Sequence, residues 1–101
     1  MRVWAHRVAQ QRSDVLRIGY FGSYARGDWG VGSDLDVVVV VESTTIPPER
    51  RAAEWDTTSL PVPADVVVLT REEWDALQGR GGRFAQTLAQ ETVWVYQRGV
   101  W

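Results

Sequence analysis

Five consecutive valines, at residues 37–41, limit the architecture of this chain more than any other stretch of its 101 residues. Valine is stiff at its β-carbon and favours extended backbone. An unbroken apolar run, in place of in-and-out alternation, marks a strand buried on both faces. Such a strand needs helices covering its sheet above and below.

The flanking segments supply those partners. Residues 3–11 read as a short helix, with Val3, Trp4, Arg7 and Val8 on one face. Residues 16–21 alternate and carry aromatics, as a first strand does. Ser23 is placed to cap a short helix through Arg26 that Gly27 ends, and residues 28–33 form a loop. Residues 35–41 are the second strand. Pro47-Pro48 closes a linker before a helix over 49–57, and Pro61 and Pro63 precede a third strand at 65–69. Thr70-Arg71-Glu72-Glu73 has the form of a capping box opening a helix to Gln78. A loop at 79–82, a helix at 84–90 and a last strand at 92–96 complete an α/β (α+β) reading. It is a small mixed sheet flanked by helices, in one domain spanning 1–101.

Composition removes many chemistries. All 11 basic residues are arginine, so lysine nucleophiles and Schiff bases are excluded. Cysteine is absent and His6 is the sole histidine, which excludes thiolate chemistry and multi-histidine zinc sites. A metal must therefore bind oxygen, which favours Mg²⁺. The formal charge of −2 gives no basic field to attract nucleic acid strongly. With no signal-peptide core and no membrane-length apolar run, the expected location is cytoplasmic.

Three carboxylates and one Gly-Ser pair carry what chemistry remains. Alternate side chains of a strand share a face, so Asp34 and Asp36 project together from the start of the second strand. Two unpaired carboxylates at that spacing repel, and burial adds to the cost; a divalent cation removes it. Asp65 opens another valine-rich strand and adds a third carboxylate if the two strands are neighbours. Gly22 lets backbone approach a phosphate, the Ser23 hydroxyl can donate to a phosphate oxygen, and Arg26 can pair with the anion. Arg26 equally suits a surface ion pair with Asp28. Asp56 competes with Asp65 but lies in a polar, helical stretch. Ser33 fits a turn cap. The arginines of residues 79–83 fit a solvated loop, His6 a surface position, and Tyr20 and Phe21 the core. Of six tryptophans, Trp29 and Trp101 suit a partner surface or the domain's own edges.

Gly22-Ser23, ten intervening residues, and Asp34-Leu35-Asp36 resemble the signature of the DNA polymerase β-type nucleotidyltransferase superfamily. The fuller string from Phe21-Gly22-Ser23-Tyr24-Ala25-Arg26-Gly27-Asp28 to Ser33-Asp34-Leu35-Asp36 is similar to its minimal nucleotidyltransferase (MNT) branch. The resemblance implies the nucleotidyltransferase fold, ATP as substrate and two Mg²⁺ ions on Asp34, Asp36 and Asp65. It also implies that Gly22, Ser23 and Arg26 grip the β- and γ-phosphates.

Larger members of the superfamily carry an acceptor-binding domain, which a chain of 101 residues is expected to lack. Many members of that branch are antitoxins paired with a small helical HEPN-domain toxin, and some transfer AMP to a tyrosine of it. The leading expectation is such a pair. Two others stay open: a non-catalytic antitoxin that works by contact, and an enzyme acting on a small-molecule or nucleic-acid acceptor. Base preference and homo-oligomerisation are left undecided.

Overall fold

The computed structural model describes residues 1–27, 30 and 34–98. Asp28, Trp29, Ser33 and Trp101, and with them most of the expected 28–33 loop, lie outside the described residues. The elements run α1 (Arg2–Gln11), β1 (Val15–Phe21), α2 (Ser23–Arg26), β2 (Leu35–Val41), α3 (Pro48–Arg51), a 3₁₀ turn (Ala52–Glu54), β3 (Ala64–Thr70), α4 (Arg71–Arg80), α5 (Arg83–Glu91) and β4 (Val93–Gln97). The sheet order is β3-β2-β1-β4. β2 and β3 are parallel, whereas β1 is antiparallel to both β2 and β4. The sheet is mixed, as expected.

The valine strand lies inside the sheet and splits its side chains between two cores. Leu35, Val37, Val39 and Val41 pack with Trp4, Ala5 and Val8 of α1, together with Ile18 and Trp55. Val38 and Val40 face the opposite side, against Leu16, Trp74 of α4 and Leu88 of α5. Both faces are therefore dry, which accounts for a strand without polar alternation.

Local details differ from the sequence reading in four places. Val3 is 72% exposed; Trp4, Ala5 and Val8 form the buried stripe of α1. The helix expected over 49–57 stops at Arg51 and tightens into the 3₁₀ turn. Beyond it the Asp56 carboxylate accepts hydrogen bonds from the Thr58 amide (3.0 Å) and hydroxyl (2.6 Å), a side-chain turn that competes with helix. Those bonds hold the Asp56 carboxyl below the usual carboxylate range. Ser23 is the first residue of α2 and makes no capping bond; Gly22 holds the cap position. Finally, α4 continues through Gly79 to Arg80, leaving only Gly81 and Gly82 as the turn.

Thr70 and Glu73 form the capping box the sequence announces. Glu73 also receives the guanidinium of Arg51, at 2.5 Å and 3.3 Å. Arg51 is buried and donates further to the carbonyls of Ile46 (2.8 Å) and Val68 (3.1 Å). A buried cation needs this degree of satisfaction to be tolerated. The network ties α3 to the C-terminal end of β3 and the start of α4.

Candidate active site

The candidate residues gather at the opposite end of the β2–β3 pair. Asp36 and Asp65 are direct register partners across the two parallel strands. β1 ends beside them, since Phe21 pairs with Asp36 on the antiparallel side. Side-chain parity places Asp36 on the face of Val38 and Val40, and Asp65 on the face of Leu69. Both therefore look toward the side covered by α4 and α5, and Asp34, just before the strand, adds its charge to Asp36.

The chain turns sharply at Gly22 to make room for this cluster. Gly22 has φ +75°, a conformation that favours glycine, and a Cβ there would overlap Asp36 Oδ2. The glycine thus brings the backbone directly against the carboxylate. Ser23 opens α2, and Arg26 closes it one turn later.

Electrostatics mark Asp36 as the centre of the cluster. Partial burial and then the negative charges of Asp65 and Asp34 push its carboxyl above the ordinary value, while Arg26 draws it back. Arg26 Nη1 also lies 3.3 Å from Glu91 Oε1 at the end of α5. The alternative ion pair of Arg26 with Asp28 falls outside the described residues.

Could these residues hold a metal ion? Among the described residues, no three His, Asp or Glu side chains stand close enough to enclose one by themselves. Mg²⁺ does not require such a cage, because it is ordinarily held by one or two carboxylates with substrate phosphates and water completing its shell. An in-register carboxylate pair, made only of oxygen donors and with the Asp36 carboxyl pushed up, fits that demand. Other candidates are not brought in: Asp56 serves its own turn, and Arg80 and Arg83 flank the glycine turn between α4 and α5.

One participant at the site, and one cation at the far end of the strands, escaped the sequence reading. Glu91 is 65 residues from Arg26, and no local motif announces it. The Arg51–Glu73 pair was half visible, since Glu73 belongs to a capping box but its cation does not.

The family model described as a nucleotidyltransferase domain matches residues 4–95, and the chain belongs to that family. Its fold is shared with a Sulfolobus solfataricus protein assigned as a nucleotidyltransferase, at 21% identity and TM-score 0.66, covering 96% of this chain and 77% of that one. A toxin-antitoxin structure with AMP-PNP is similar at 16% identity and TM-score 0.64, covering 96% and 73%. A complex of the tri-AMPylated Shewanella oneidensis HEPN toxin with its MNT antitoxin matches at 16% and TM-score 0.53, covering 97% and 74%. No curated protein matches the sequence significantly. No helix among the described residues is long and apolar enough to cross a membrane.

Proposed function

We propose that this chain transfers a nucleoside monophosphate, AMP from ATP, to a hydroxyl of a partner protein. The partner we infer is a small helical HEPN-type toxin, for which this chain is the antitoxin. The observation that carries the reading is the in-register pair Asp36–Asp65, crowded by Asp34 and backed by the Gly22 turn. Like charges held together cost stability, and a site that retains them is built for a counter-ion. The neighbours with AMP-PNP and with an AMPylated toxin support the choice of nucleotide and acceptor.

Asp34, Asp36 and Asp65 would hold Mg²⁺, which when bound offsets the charge of the triphosphate and of departing pyrophosphate. The chain's own groups do the rest. The Gly22 backbone and Ser23 hydroxyl seat the β- and γ-phosphates, and the Arg26 guanidinium pairs with them. The acceptor oxygen bonds to the α-phosphorus as the bond to the bridging oxygen breaks and pyrophosphate leaves. The hydroxyl proton passes to a carboxylate of the cluster, and Asp65, exposed on the edge strand, is assigned that part.

The test is incubation with α-labelled ATP, Mg²⁺ and lysate of source cells lacking this gene. One labelled protein band, absent with Asp36→Asn, is the expected result. No label from any nucleoside triphosphate, with toxicity still neutralised by the variant, would replace transfer by simple binding.

A further inference from the structure

Glu91 pairs with Arg26, and its position makes that contact informative. Glu91 is the last residue of α5, where a carboxylate opposes the helix dipole, and the last turn of that helix has no basic residue. Its counter-charge comes from α2, 65 residues away in sequence. Arg26, for its part, stands between two negative fields. It touches Glu91 and also acts on Asp36 in the carboxylate cluster.

The contact is of a kind that a stronger anion displaces. It is made through a single guanidinium nitrogen at 3.3 Å, with the two side chains 48% and 37% exposed. Exposed monodentate pairs are weak. A polyphosphate carries more charge than a carboxylate and can engage a guanidinium through two parallel hydrogen bonds.

We propose that Glu91 is a positioning residue for Arg26: in the nucleotide-free chain its carboxylate stands in for phosphate, and an arriving triphosphate takes the guanidinium over. The inference rests on the nucleotide reading above and adds a residue to it. Glu91 touches neither nucleotide nor acceptor; it sets what Arg26 must leave in order to bind. Nucleotide binding is thereby coupled to the C-terminal end of α5, which loses its counter-charge when the site fills.

The experiment is calorimetric titration of Mg²⁺-ATP into wild type, Glu91→Gln, Arg26→Gln and the double variant, with thermal melts to confirm folding. Removing the competing carboxylate is expected to tighten ATP binding about two- to fivefold, the range an exposed pair allows. In transfer assays KM for ATP falls by the same factor while kcat holds. In the Arg26→Gln background the Glu91 substitution has no effect. A merely structural tether of α2 gives the opposite sign, weaker binding with a lower melting temperature, and that result overturns the proposal. So does equal binding by wild type and folded Glu91→Gln, or an equal gain without Arg26. Wild type that does not bind ATP overturns the nucleotide reading itself, whereas wild type that binds with no gain in the variant overturns only the role of Glu91.

Discussion

The two ends of the β2–β3 pair treat charge in opposite ways. At the C-terminal end Arg51 is buried, and its guanidinium is matched by the Glu73 carboxylate and by two main-chain carbonyls. At the N-terminal end Asp36 and Asp65 face each other across the same two strands with Asp34 beside them. The first arrangement lowers the pKa of Glu73 and the second raises that of Asp36. Satisfied charge holds the fold together. Unsatisfied like charge, kept at the cost of stability, is the mark of a site. The contrast also disposes of the cavity of about 400 Å³ lined by Arg51, Thr70 and Glu73, which sits at the satisfied end, away from the carboxylate pair.

Substitutions at the two ends should therefore fail differently. Asp65→Asn is expected to cut nucleotide transfer more than about 100-fold, beyond what loss of an outer partner of a metal ligand costs. Its urea midpoint should stay at or above that of wild type. Glu73→Gln should do the reverse. It strands a buried guanidinium and is expected to cost ~2–3 kcal/mol in denaturant unfolding. Transfer per folded molecule should be retained, and a loss of transfer without a loss of stability would erase the distinction between the ends.

Gly22→Ala tests how closely the turn serves the carboxylates. The left-handed φ and the overlap with Asp36 together should cost about 1–3 kcal/mol of stability and weaken ATP binding. A variant that melts and binds like wild type would mean that the backbone does not crowd Asp36.

The smallest effect is the most specific. Because the Asp36 carboxyl is raised in the fold, its ionised form opposes folding. That penalty is absent below the unfolded value and present once pH rises through the folded one. Asp36→Asn should accordingly raise the melting temperature of the metal-free chain by about 2–4 °C at neutral pH, with the gain fading in acid. Glu73 has the opposite slope. The hydrogen bond from Arg51 holds its carboxyl below the usual range, so its stabilisation is present at neutral pH and lost as pH falls through the folded value. Melts across the acid range that showed the same slope for both variants would contradict the comparison.

What was legible in the sequence was local. The valine run announced a doubly buried strand because β-branched residues without alternation have few other uses, and both cores now meet on it. The Thr70–Glu73 box was visible because its partners are three residues apart. Asp36 and Asp65 were each readable as strand openers, but their pairing depended on β2 and β3 being neighbours, a fact of topology. The Arg26–Glu91 pair was not legible at all, and of Arg51–Glu73 only the acid was, through its capping box. The two pairs join charged residues 65 and 22 positions apart, and a charge in sequence does not say which other charge it will meet. The overlong helix at 49–57 had a different cause. Pattern alone gave no weight to the Asp56–Thr58 turn, which takes the chain out of helix.

The crowded end is proposed to hold a divalent cation together with nucleotide. Mn²⁺ suits the same oxygen ligands as Mg²⁺ and reports its own binding by electron paramagnetic resonance. Titrating Mn²⁺ into the chain with ATP, for wild type, Asp36→Asn and Asp65→Asn, tests the claim directly. Wild type is expected to capture the ion with ATP present, and both variants are expected to lose it. Equal Mn²⁺ capture by all three proteins, or none by wild type with ATP, would contradict the claim.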